Sequence, residues 1–232
     1  MPPGELAEVG LRGYRVVDAS RSASRRLAIL QAAARVFSEQ SYYTATMDDI
    51  AAQLGVSKGV VYYQFRSKEE VFREIVTTAI SEALRRLVAT NAQGGSPVER
   101  LRNGLRELIA YNLDVETPNY HAMMVIGSVR ALSPPNRERV RELQREYQRL
   151  IARTIDEGIA EGLFDVPDSH VTAMSILTAA NGVSNWFVPG RAVDAERVRD
   201  QVSDQLVRGI LARPGPTSHP LGPEDSHDRQ GT

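Results

Sequence analysis

"DDIAAQLGVSKGVVYYQFRSKEE", residues 48–70, decides how the chain is read. Just before and within it, Met47, Ile50, Ala51 and Leu54 fall on one face of a helix. Gly55 interrupts the pattern where a left-handed residue would end that helix. Ser57 is placed to cap a second short helix, "KGVVYYQF". Ser67-Lys68-Glu69-Glu70 repeats the start signal as a capping box with acids in the first turn. Two short helices around a tight turn make a helix-turn-helix, a motif whose second helix can lie in the major groove of DNA.

The side chains fit that motif. Ile50, Ala51, Leu54, Val56, Val61 and Phe65 can cluster inside and fix the angle between the helices. Ser57, Lys58, Gly59, Tyr62 and Tyr63 then point outward. Gly59 costs about 1 kcal/mol inside a helix relative to Ala, which close approach of the backbone to DNA would explain. Both lysines of the chain, Lys58 and Lys68, fall in this stretch. The competing use of Tyr62 and Tyr63 is ordinary helix packing, and of the lysines ordinary solvation.

Charge is distributed to match. Net charge is −1 over 232 residues, yet Arg12 to Lys68 holds nine basic and four acidic residues, a local +5. The front of the chain is basic and the remainder acidic. There is no cysteine, which excludes disulfides and thiolate metal sites. No apolar run approaches the roughly 18 residues that cross a bilayer. The first residues, with Glu5 and Glu8, do not read as a signal peptide. A cytoplasmic protein without a membrane partner is expected.

Outside the motif the periods are helical throughout and no strand is convincing. The expected class is all-α, with about nine helices. Residues 1–22 show no clear period and read as a flexible basic arm; 23–68 form a three-helix unit with the helix-turn-helix; 69–213 form a helical body; 214–232, "PGPTSHPLGPEDSHDRQGT", read as a disordered tail. A helix opens at Pro97 after "GGS", a shorter one containing Met123 to Ile126 lies between "ETPN" and "SPPN", and a long one ends near Gly158 or Gly162.

The stretch resembles the TetR family of bacterial transcriptional repressors. The matching text is Ile29-Leu30-Gln31-Ala32-Ala33, Phe37, Tyr42, Thr44, Thr46 to Ala51, Gly55 to Gly59, Tyr62 to Phe65 and Ser67-Lys68-Glu69. The resemblance implies that Thr46 binds phosphate, that Ser57 caps the reading helix and touches the backbone, and that Lys58 and Gly59 face base edges. It further implies that Tyr62 and Tyr63 give hydroxyls to phosphates and that Lys68 meets another. Gln64 stands where His is common and still offers a donor. Val60 and Val61 are apolar where some relatives carry polar readers, so few direct base contacts are implied. Arg21, Arg25 and Arg26 are available for minor-groove or phosphate contacts.

The body offers no catalytic constellation. His121 and His170 have no carboxylate or His partner at i+3 or i+4, His219 and His227 lie in the tail, and no enzyme activity, cofactor or metal is expected. Val198, Val202, Leu206 and Ile210 recur every four residues, and Ile176, Leu177, Ala180, Val183 and Phe187 mark the preceding helix. These stripes suit a homodimer through the last two helices, as the resemblance implies, with packing inside one chain as the alternative. A ligand cavity between the middle helices is expected, lined by Leu105, Leu108, Tyr111, Asn112, Met123, Met124, Ile126, Tyr147, Met174, Leu177, Asn181 and Trp186. The segment Asn181 to Arg191 resembles TetR-type regulators of lipid and steroid breakdown, some of which respond to acyl-CoA thioesters. The expected function is a homodimeric repressor on a palindromic DNA operator, released by a small, largely apolar or acyl-CoA-like ligand. The alternatives are a drug-efflux regulator responding to hydrophobic drugs, or a small-molecule-binding protein without DNA function.

Overall fold

The computed structural model describes residues 5–114, 126–191 and 193–212, and the side chains of all of these except 5–21, 126 and 127. Eight α-helices follow in order: α1 (Glu5–Gln40), α2 (Met47–Leu54), α3 (Lys58–Gln64), α4 (Lys68–Asn91), α5 (Pro97–Leu113), α6 (Pro134–Ala160), α7 (Ser169–Gly182) and α8 (Ala195–Arg208). Two 3-10 turns, Ile126–Ala131 and Val183–Asn185, complete the list. Among the described residues there is no strand, only an antiparallel bridge between Phe164 and Leu211. The fold is all-α. The expected helix around Met123 lies mostly outside the described residues.

The start signals act as their chemistry dictates. Ser96 caps α5 through a full capping box with Glu99, and Pro97 takes the first helical position. Asp168 and Asp194 cap α7 and α8. At the C-terminal end of α6, Gly162 adopts φ 70°, and Phe164 lies so close to Gly158 that a Cβ there would sit 2.1 Å from the ring. Both candidate stop glycines are therefore needed, one for the turn and one for packing.

One boundary differs from expectation. The backbone of residues 5–22 is helical and continuous with α1. That stretch lacks an apolar stripe, and it holds no proline that would stop the helix. Residues 1–4 and the tail from 213 lie outside the described residues.

Two cores share α4. The first gathers Ile29, Phe37, Ile50, Val61, Phe65 and Phe72 with Tyr42. Tyr42 and Phe72 stack at 4.4 Å and Phe37 meets both rings edge-on. The second core begins at Ala83 and Leu87 on the same α4 and continues through Leu105, Ile109, Tyr147, Ile151 and Phe164. One rigid helix thus carries the N-terminal unit on the body.

The stripes expected to face a partner are used inside the chain. Val198, Val207 and Ile210 are buried, Val202 and Leu206 pack against the same core, and α8 lies along α5. Ile176, Leu177, Ala180, Val183 and Phe187 are buried too. The reason is geometric: the apolar face of α5 needs cover, and Arg106 fixes α8 onto it through Asp200 at 2.7 Å. Among the described residues no helix is long and apolar enough to cross a membrane.

Candidate nucleic-acid interface and cavity

Thr46 caps α2 in a reciprocal box: its Oγ accepts from the Asp49 N–H at 3.2 Å, and Asp49 Oδ2 accepts from the Thr46 N–H at 2.8 Å. The Thr46 hydroxyl, donating to Asp49 Oδ2 at 2.7 Å, and then the Thr46 N–H hold the Asp49 carboxyl below its ordinary range. Gly55 takes the left-handed conformation, φ 67°, which turns the chain into α3. Val61 and Phe65 are fully buried beneath α3 and fix its pose, whereas Val56, expected inside, is largely exposed.

The opposite face of α3 is open. Tyr63 is 84% exposed and Tyr62 44%. Ser57 occupies the N-cap position, but its side chain makes no capping bond. Gly59 is instructive: a Cβ there would meet nothing closer than Ser57 Oγ at 3.9 Å. Nothing inside the fold requires a glycine there. Lys58 Nζ is held by Asp48 at 2.8 Å and lies 5.6 Å from the Tyr62 ring. Sequence reasoning missed Asp48 in this role, although its place opposite Lys58 follows from the helix-turn-helix geometry.

Two expected contacts have other duties. Lys68 Nζ donates to the carbonyls of Tyr42 at 2.8 Å, Tyr43 at 3.3 Å and Ala45 at 2.7 Å, and lies 4.7 Å from the Tyr42 ring. An ammonium has three protons, and all are engaged in clamping the α1–α2 loop. Arg26 binds Glu74 and the Gln64 carbonyl and covers the Phe65 ring at 3.9 Å. It joins α1 to α4 and does not extend outward. Gln64 is half-buried, with its side chain 3.4 Å from Ser22 Oγ. Arg25 is exposed, and the Arg21 side chain lies outside those described.

In the body a cavity of about 230 Å³ lies between α4, α5, α6 and α7. Of the expected lining, Leu108, Tyr147, Met174, Leu177 and Asn181 come together there. Leu105 and Tyr111 are core, the latter donating to the Ala79 carbonyl at 3.3 Å. Asn112 is buried behind the cavity and donates to Asn181 Oδ1 at 3.0 Å. Trp186 is 58% exposed and does not line the cavity. Met123 and Met124 lie outside the described residues, as does the side chain of Ile126. Ile80, Ala83, Gln144, Gln148 and Thr178 were missed. Among the described residues no cluster of metal-ligating side chains occurs.

Comparison with known proteins turns this geometry into an identity. Residues 29–75 match the profile described as bacterial regulatory proteins, tetR family, and residues 94–210 match the tetracyclin repressor-like C-terminal domain. The chain is 30% identical over 201 residues to the HTH-type transcriptional repressor KstR2 of Mycolicibacterium smegmatis, covering 84% of this chain and 95% of that one. The chain belongs to the TetR family. This is a family of transcriptional regulators, not of enzymes. The HTH-type regulator YfiR of Bacillus subtilis is 37% identical over 90 residues, 36% of this chain, which spans only 44% of YfiR. The crystal structure of AibR in complex with isovaleryl coenzyme A and operator DNA superposes with TM-score 0.70 at 23% identity, covering 81% of this chain and 98% of AibR. That likeness adds the fold: a TetR-type reader on a TetR-type body.

Proposed function

We propose that this TetR-family regulator is a homodimeric repressor that holds a palindromic operator through two copies of α3 and releases it when the body cavity fills. The observation that carries the reading is the outward face of α3. Tyr62, Tyr63, Ser57 and Lys58 offer donors around a glycine that the fold itself does not need. Phosphate contacts position such a helix and base contacts supply sequence reading. Gln64 and the exposed Arg25 stand nearby as further donors, whereas the Thr46 hydroxyl already donates to Asp49 Oδ2 at 2.7 Å. Lys68 is left out of this set, because its protons already serve three carbonyls.

Dimerisation places two readers on half-sites about 34–36 Å apart, or a multiple of that. The surface that supports a partner copy is the outer side of α7 and its continuation. Val171 (60% exposed) and Trp186 (58%) stand there beside Ser175, Ala179 and Gly182. So much exposed apolar surface on one helix face fits an isologous contact. The last two helices thus remain the proposed site, through a different face from the one the sequence periods marked.

The effector reaches the reader through α4. Ile80 and Ala83 of α4 line the cavity, and its first turns are bonded to α1 and α6. A ligand that prefers one α4 position over another shifts the population of reader spacings by that preference and no more. The AibR complex with isovaleryl coenzyme A supports a small acyl-CoA-like effector. The test is binding of the purified chain to its own upstream DNA against random competitor, with and without isovaleryl-CoA. Sequence-selective binding relieved by the thioester supports the proposal; no selectivity overturns it.

A further inference from the structure

The cavity has a definite chemistry. None of its lining residues carries a formal charge. Its polar groups are the carboxamides of Gln144, Gln148 and Asn181, with Thr178 and Tyr147. The Tyr147 phenol is pushed far up by burial and stays neutral. Thr178 Oγ1 already donates to the Met174 carbonyl at 2.7 Å.

Asn181 is the oriented group. Buried Asn112 donates its Nδ2 to Asn181 Oδ1 at 3.0 Å, which orients the Asn181 carboxamide and leaves its NH2 as a donor. Asn112 Oδ1 is itself buried with no hydrogen-bond partner. A hydrogen-bonded Asn181 meets a neutral carbonyl well. It cannot neutralise a carboxylate, and a charge moved from water against an uncharged lining without a counter-ion is disfavoured.

Size narrows the class further. At about 230 Å³ the cavity is small beside the roughly 300–1,000 Å³ usual for ligand pockets. That suits a short acyl group better than a fused polycycle.

We propose that this cavity recognises a short, uncharged acyl group whose carbonyl accepts from Asn181, and that it rejects the corresponding free acid. The inference rests on the reading that the cavity is the effector site, and it supplies the ligand class. A thioester and an amide share the required carbonyl and are separated in the test.

Calorimetric titration of the full chain with the N-acetylcysteamine thioester of isovalerate, with isovaleramide, with isovalerate and with cholic acid methyl ester decides it. The thioester or the amide should bind at least 100-fold more tightly than isovalerate, and the steroid ester should not bind. Whichever of the two neutral probes binds better names the source of the carbonyl. Asn181→Leu should weaken the better probe at least tenfold with a thermal midpoint close to that of the parent. Gln148→Arg, at a half-exposed position, should raise isovalerate affinity at least tenfold by adding the missing cation. Equal or tighter binding of isovalerate to the parent chain, or no binding of either neutral probe, overturns the proposal. A neutral probe that binds as expected yet leaves operator binding unchanged overturns the effector role proposed above and leaves this chemistry standing.

Discussion

Arg26 on α1 grips Glu74 on α4, its Nε donating to Glu74 Oε1 at 2.7 Å while its second donor takes the other carboxylate oxygen. The same guanidinium donates to the Gln64 carbonyl at 2.6 Å, at the C-terminal end of α3. One side chain thereby sets where the reading helix sits relative to the helix that carries it. Arg26→Ala should lower stability by about 1–2 kcal/mol, since the pair is part-exposed and the bonds are charge-assisted. Operator affinity should fall with it while the salt slope stays the same. A denaturant titration and a salt series check this; a slope reduced by about one unit would instead make Arg26 a phosphate contact.

Lys68 gives the companion case. Its three carbonyl acceptors come from the loop between α1 and α2. Lys68→Met should lower the thermal midpoint by several degrees, as expected for a loss of about 1–2 kcal/mol, and leave the salt slope unchanged. By contrast Lys58→Ala, which breaks only an exposed pair with Asp48, should barely change the midpoint and should flatten the salt slope by about 0.9.

Gly59→Ala separates fold from function. The added methyl meets open space within the chain, so helix propensity should stabilise the protein by about 0.5–1 kcal/mol. Operator affinity should drop at the same time, because the methyl lies where a DNA backbone would approach. Thermal melts and gel shifts on one preparation measure both. Unchanged operator binding would remove α3 from close contact with DNA.

Acid sensitivity follows from two carboxylates. Arg85 first, then Arg86, hold Glu82 down to about 2 from 4.5. Arg199 and Arg106 hold Asp200 down to about 2 from 3.8. Both groups are more acidic in the folded chain, so their stabilisation is complete above about pH 4.5 and is lost as pH falls towards 2. Thermal midpoints measured from pH 7 to 2.5 should fall mainly in that window. Glu82→Gln should start lower at pH 7 and fall less steeply. A midpoint that rises on acidification would contradict these ion pairs.

The parts of this molecule that sequence reveals are the ones governed by near neighbours. Gly55, Ser67, Ser96 and Pro97 act within a turn or two of themselves, so their roles follow from spacing. The exposed Tyr62 and Tyr63 follow likewise from the buried Val61 and Phe65 beside them. The carbonyl partners of Lys68 are not legible in sequence, because they stand 23 to 26 residues away, in a loop with no periodic signal. The α8 stripe is equally apolar whether it meets α5 or a second copy, and only the fold assigns it to α5. In the cavity, Leu108, Tyr147 and Leu177 were legible as apolar residues on inward faces. Gln144 and Gln148 were not, because half-buried amides on a charged helix look like solvated ones. The helix over residues 5–22 is not legible in sequence, because the stretch has no apolar stripe and so gives no period.

The most direct test is stoichiometric. A fluorescent duplex from the upstream region, titrated with the purified chain and followed by sedimentation together with gel shift, should bind two chains per palindrome in preference to random competitor DNA. The double variant Tyr62→Ala, Tyr63→Ala should lose that preference while remaining a folded dimer. Binding by single chains, or equal binding to competitor DNA, would contradict a paired reader and with it the repressor reading.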